Sequence, residues 1–242
     1  MNLNLEQICI SNYFKNKNII MVGPSDYLIG KKLGLYIDSF DIVIRIKKSF
    51  PIPSELYDDL GRKTNILLSS LKTARVLDIN GNYYYQNNFS NDNILSMNEQ
   101  LDFVLFPYPT SLEPFNKFYN QYLNLRLIDV MLITSDLFLN EYDDLVLKLN
   151  TTPTIFLAGL FYLLKYKFKK IYIIGITFQK ENYYSEYKTI EMVKASQKRT
   201  LENKKKGGSI HNMEKEILFF KNILKNDKRI IIDSKIQDII KK

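Results

Sequence analysis

A single cysteine, Cys9, among 242 residues excludes an internal disulfide and makes a reducing compartment the natural home of the chain. No apolar run approaches the ~18 residues that a membrane-spanning helix needs, and the polar N-terminus lacks a signal-peptide core. Acidic residues are in deficit: 26 Asp and Glu stand against 34 Lys and Arg, a net charge of +8. That balance favours anionic partners such as nucleotides, anionic glycans or a membrane surface. Nucleic acid is not singled out, because no zinc-finger, helix-turn-helix or aromatic RNA-binding signature is present. The basic clusters Lys165–Lys170 and Lys204–Lys206 read first as solvated faces. Internal repeats and composition breaks are also absent. With 45% hydrophobic and 25% charged residues, the chain suits one α/β domain with a substantial core, spanning 1–242.

What is present centres on Asn18–Lys47. The apolar run Ile19-Ile20-Met21-Val22 ends at Gly23, as a buried parallel strand ending in a turn does. Pro24-Ser25-Asp26 supplies turn and cap residues, and the segment reaching Tyr36 can form one helix. After Asp38–Asp41 a second strand begins at Ile42, with Arg45 near its end. Such a β-turn-α-β unit has the size of a right-handed crossover. Ligands of parallel sheets lie beyond the carboxyl ends of the strands, so Gly23, Ser25 and Arg45 share a candidate rim.

Further strands are predicted at 65–70, 103–106, 130–134, 171–175 and 229–233, and helices at 114–125, 135–148, 151–170 and 210–224. Residues 1–17 read as a lead-in helix or arm, 80–96 as a long surface loop, and 182–209 as a lysine-rich lid. Thr151-Thr-Pro-Thr154 opens a helix whose first N–H groups can bind phosphate or carboxylate. His211, the lone histidine, precedes a helix and has Glu216 five residues on. Histidine suits removal of a proton from a hydroxyl near neutral pH. Glu216 reads as an orienting or helix-packing group, and Cys9, with no activating neighbour, as core or surface. The two YDDL sequences, at 57–60 and 142–145, fall in predicted loop or helix rather than at strand ends, which argues against a metal site.

The runs VGPSDYL, GLYIDSFDIVIR and LGRKTN together resemble the large sialyl motif of the eukaryotic-type sialyltransferases. TTPTIFLAGLFYLLKYKFKKIYIIGITF resembles the small sialyl motif, with Gly175 as the strand-end glycine. Asn182-Tyr183-Tyr184 falls where that family has its third motif, usually His-Tyr-Tyr, and His211 with Glu216 reproduces the very short motif. The resemblance implies a Rossmann-like α/β/α domain with a mostly parallel sheet, a sialyltransferase-like variant of the GT-A fold. It implies an inverting glycosyltransferase that moves an acidic sugar from a CMP-sugar donor to a glycan or glycolipid hydroxyl, without metal or other cofactor.

The roles it implies are these. Gly23, Pro24, Ser25, Arg45, Lys47, Thr152, Thr154 and Gly175 surround the donor, Arg45 either adding charge or holding the turn. Tyr183 and Tyr184, supported by Asn182, steady the departing phosphate, and His211 is the base. Family members of the secretory pathway carry an anchor and disulfides; with neither here, a compact bacterial or viral member in the cytoplasm is expected, in peripheral contact with the inner membrane surface at most. The sequence departs from the family at Pro24 and Lys47, where asparagines are usual, at Ile155 and at Asn182. These departures leave open CMP-Kdo as donor, a nucleotide- or glycan-binding relative without catalysis, and, more remotely, a pyrophosphokinase-like enzyme.

Overall fold

The computed structural model describes residues 3–47, 49–69, 74–77, 83–86, 100–107, 131–134, 139–184 and 211–241. Its frame is a seven-stranded sheet of β1 (Asn18–Val22), β2 (Ile42–Ile46), β3 (Ile66–Leu68), β6 (Phe103–Phe106), β7 (Met131–Thr134), β8 (Lys170–Ile174) and β9 (Ile230–Ile232). The strand order is β7-β6-β3-β2-β1-β8-β9 and every pairing is parallel. An all-parallel sheet is covered on both faces, which is why its strands read as unbroken apolar runs rather than alternating ones. In β1, Ile19 and Met21 enter one core and Ile20 and Val22 the other.

The larger core lies beneath α1 (Leu3–Phe14), α4 (Leu139–Leu149), α5 (Ile155–Leu163), α6 (Met213–Asn226) and α7 (Ser234–Lys241). The smaller core lies beneath a 3₁₀ turn at Asp26–Leu28 and the short helices α2 (Gly34–Asp38) and α3 (Tyr57–Leu60). Residues 1–17, read as a lead-in helix or arm, contribute α1, whose Ile10 and Phe14 are buried in the larger core. From β1 the chain builds outward to β7 on one side, then returns to place β8 on the other. The order therefore reverses between β1 and β8. In open α/β sheets this is the crevice where ligands bind.

Three sequence expectations are corrected. The single helix up to Tyr36 is instead the 3₁₀ turn and α2, separated by Gly30 and Lys32 with φ of 77° and 53°. Asp59 fixes the break by accepting from the backbone N–H groups of Gly30 (2.7 Å) and Lys32 (2.8 Å), which lowers its pKa. Within 80–96, the aromatic run Tyr83–Gln86 forms strand β5, antiparallel to β4 (Ala74–Leu77), consistent with the strand preference of tyrosine. The amphipathic α7 follows the last strand, where the sequence reading ended, with Asp233 capping Ile236 N–H at 2.8 Å. The helix expected at 114–125 and most of the lid expected at 182–209 lie outside the described residues. No helix among the described residues is long and apolar enough to cross a membrane.

Candidate functional site

Gly23 and Gly175 end the two strands that flank the reversal, and their backbones touch. Gly23 N–H donates to the carbonyl of Ile174 at 2.8 Å. A Cβ on Gly23 would lie 2.2 Å from the Gly175 oxygen, and one on Gly175 2.5 Å from the Gly23 oxygen. No other residue type fits such an approach. Behind this contact, Gly175 N–H donates to the Tyr27 hydroxyl (2.6 Å), which in turn donates to Asp233. Burial, then the Asp233 hydrogen bond, pushes the Tyr27 pKa up, so the hydroxyl keeps its proton.

Above the glycines opens a cleft. Ile46, Ile155, Phe156, Ile176, Phe178 and Met213 form apolar walls, and Lys47, Thr154, Thr177, Gln179, Tyr183 and His211 offer polar groups. Polar groups set among apolar walls suit a small-molecule site, the walls removing ligand from water and the polar groups orienting it. Backbone strain gathers here as well. Lys47, Phe178 and Gln179 adopt positive φ (52°, 50° and 61°), three of the six non-glycine residues that do so among the described residues. Each such conformation costs about 1 kcal/mol or more, and strain of this kind clusters at functional sites. Phe178 and Gln179 are the central residues of a tight turn closed by Lys180 N–H on the Thr177 carbonyl at 2.9 Å. The turn is pinned by the Phe178 ring, packed against Phe156 and Phe220 with centroids 5.8 and 5.5 Å away.

Of the residues singled out in the sequence, Pro24, Lys47, Thr154, Gly175, Tyr183 and His211 line this cleft. The others stand behind it. Ser25 is buried, its hydroxyl donating to the Asn182 carbonyl at 3.2 Å. That contact and the bridge from Ser25 to Tyr183 place Tyr183 at the cleft, where burial raises its pKa. Asn182 itself is exposed, and Tyr184 is 4% exposed in the smaller core. Arg45 does not line the cleft. It is 1% exposed, and its guanidinium donates to Thr64 Oγ1 (2.9 Å) and to the carbonyls of Leu60 (2.6 Å) and Lys63 (3.1 Å). Burial brings its pKa down to about 10. Arg45 thus holds the turn, and Asp38 works with it by accepting from Arg62 N–H (3.0 Å) and Lys63 N–H (2.9 Å). Residues of the GLYIDSFDIVIR and LGRKTN runs thus build this turn rather than the cleft.

The helix-start threonines differ from expectation in the same way. Thr154 caps α5, accepting from Leu157 N–H at 3.4 Å. Its own N–H and hydroxyl each donate, at 2.7 Å, to one oxygen of Glu216. The anion at this helix start is therefore the protein's own carboxylate, which ties α6 to α5. Thr152 contributes its carbonyl, 2.7 Å from His211 Nδ1. A carbonyl can only accept, so Nδ1 carries hydrogen and Nε2 is the basic nitrogen of the neutral ring. Thr152 thus orients the His211 ring, while the Thr154–Glu216 bonds fix the start of α6, which His211 precedes.

Glu216 is fully buried, and burial, opposed by the two Thr154 hydrogen bonds, raises its pKa to about 7. The unfolded chain releases this proton at the ordinary glutamate value of 4.5, so between about 4.5 and 7 the folded state holds more protons. Stability contributed by Glu216 therefore falls as pH rises through that window, by about 3 kcal/mol. Subtracting the pH–stability profile of Glu216→Gln from that of the wild type should leave this descending step; parallel profiles would show no such shift.

Sequence reasoning missed the residues after Gly175, namely Ile176, Thr177, Phe178 and Gln179, although their position beyond a central strand was a sufficient signal. Both YDDL motifs are consumed structurally, Asp59 in the Gly30 turn and Tyr142 and Leu145 in the core. Among the described residues no group of three His, Cys, Asp or Glu is placed to hold a metal ion.

A search of curated proteins by sequence finds no match. Among solved structures, a mammalian sialyltransferase in complex with Gal-β-1-3GalNAc-ortho-nitrophenol is similar, with a TM-score of 0.54 and 12% identity over 90% of this chain and 69% of that one. A second structure of a mammalian sialyltransferase gives a TM-score of 0.51 and 14% identity, with the same coverage. At such identities these likenesses speak for the fold. The family assignment comes from sequence: the model of glycosyltransferase family 29 (sialyltransferase) matches residues 13–163, from the end of α1 through α5. That span is more than half of the chain and includes the strand that ends at Gly23, the Arg45 turn and the capped start of α5, and on it the chain belongs to glycosyltransferase family 29, the sialyltransferases, and is a CMP-sugar-dependent glycosyltransferase.

Proposed function

We propose that the protein transfers sialic acid from CMP-sialic acid to a hydroxyl of a glycan or glycolipid, with inversion and with His211 as general base. The acceptor oxygen attacks the anomeric carbon from the face opposite CMP. As that C–O bond forms, the bond to the phosphate oxygen breaks and its electron pair leaves with CMP, while the hydroxyl proton passes to Nε2 of His211. The observation that carries this reading is the bond from His211 Nδ1 to the Thr152 carbonyl, because a neutral ring that donates from Nδ1 is basic at Nε2, and His211 lines the cleft. Lys47 and the Tyr183 hydroxyl line the same cleft and can offset the charge of the leaving phosphate, so the chemistry calls for no metal.

A second donor, CMP-Kdo, is favoured by Pro24 and Lys47, which line the cleft where asparagine is usual in the family. The net charge of +8 suits a cytoplasmic enzyme that meets glycolipid at an anionic membrane surface. Release of CMP from CMP-Neu5Ac and from CMP-Kdo, measured with a galactoside acceptor and with excess chelator, tests the reading. It expects acceptor-dependent release from one donor, undiminished by the chelator. Undiminished release in His211→Ala would remove the base, and CMP binding without any turnover would favour a relative that has lost catalysis.

A further inference from the structure

Thr177 stands apart from every other polar residue of the cleft. It is 3% exposed, lies two residues beyond Gly175 at the carboxyl end of β8, and lines the cleft. Its Oγ1 is buried with no hydrogen-bond partner, the one such side-chain oxygen or nitrogen among the described residues. A buried hydroxyl in that state is costly and is normally satisfied by protein, water or ligand. Its setting is also held rigidly. Thr177 is the first residue of the turn whose two central residues, Phe178 and Gln179, sit at positive φ, a conformation that usually calls for glycine or asparagine. Packing of Phe178 on Phe156 and Phe220 over-determines this turn and fixes the Thr177 backbone at the cleft.

We infer that the Thr177 hydroxyl is a substrate contact that hydrogen-bonds the nucleotide half of the donor. This rests on the proposed use of a CMP-sugar in the same cleft. The nucleotide half is indicated by position. Thr177 follows the strand-end glycine at the sheet's reversal point, where α/β folds hold nucleotides. His211, the base, is delivered instead by the start of α6 and must face the acceptor. A ligand acceptor or donor that reaches this hydroxyl supplies the partner the protein does not, which favours the bound state.

The test uses the full chain, with CMP titrations by calorimetry and thermal unfolding of wild type, Thr177→Val and Thr177→Ser. Valine keeps the shape and removes the hydroxyl; serine keeps the hydroxyl. Thr177→Val should bind CMP about tenfold more weakly, yet in the absence of ligand should unfold at the same temperature or a few degrees higher. Thr177→Ser should bind within about twofold of wild type. If wild type binds CMP and Thr177→Val binds it equally well, or is impaired only with the intact CMP-sugar, the assignment of Thr177 to the nucleotide is overturned while the transferase reading stands. Equal weakening in the serine variant would overturn it too, showing a packing effect. Absence of CMP binding by the wild type would overturn both.

Discussion

His211→Ala is expected to lower the transfer rate by at least about a hundredfold, the lower end of what a positioned general base contributes. Folding should be spared, because His211 is half-buried and begins no core contact that α6 does not make elsewhere through Ile217 and Phe220. A companion variant separates the base from its support. Glu216→Gln leaves His211 in place but weakens the grip of α6 on the start of α5, whose Thr154 N–H and hydroxyl both donate to Glu216. It should slow transfer less than His211→Ala does and should alter the pH profile of the rate, since the Glu216 pKa lies near 7. Steady-state rates of both variants, with far-UV circular dichroism as the folding control, check this. A His211→Ala enzyme at the wild-type rate would leave the proposed chemistry without its base.

Gly175→Ala is expected to have the largest effect on stability. The new methyl group would lie 2.5 Å from the Gly23 oxygen and 2.8 Å from Leu28 Cδ1, and the backbone there is left-handed at φ 73°. Relief requires β1 and β8 to separate at the centre of the sheet, against the contact that the Gly23 N–H···Ile174 bond holds closed. A cost of at least about 3 kcal/mol follows, equivalent to a fall in Tm of roughly 10 °C. Gly30→Ala is the matched control: its φ is 77°, but nothing lies within 4 Å of the added Cβ. That variant should lose only about 1 kcal/mol, the cost of the left-handed conformation alone. Equal losses in the two variants would mean that the close approach of the strand ends contributes nothing.

These two cases show where the sequence was legible. Strands buried on both faces leave a plain trace, and Ile19–Val22, Ile42–Ile44 and Ile171–Ile174 announced the centre of the sheet and the rim it creates. Glycine at the end of two of those strands marked the crevice. Short-range signals also served: Thr154 does cap its helix. What could not be read was which partner each polar group finds. Arg45 shares the candidate rim in sequence, yet the groups its guanidinium donates to lie in the 60–64 turn, 15 to 19 residues away. Thr154 points to an anion, but that anion is Glu216, 62 residues on. The place of Thr177 beyond a central strand was legible, but its unsatisfied hydroxyl was not, because that is defined by what surrounds it in space. The helix predicted to reach Tyr36 failed for a related reason: Asp59, remote in sequence, stabilises the left-handed break at Gly30 and Lys32.

The cleft, the oriented histidine and the family assignment converge on one ligand, and the most direct test of that convergence is calorimetric titration of the protein with CMP, with UMP, UDP and ATP as controls, in the absence and presence of magnesium. Selective binding of CMP, at the same affinity with and without the metal, is the predicted result. No heat with CMP, or binding of ATP that depends on magnesium, would contradict it.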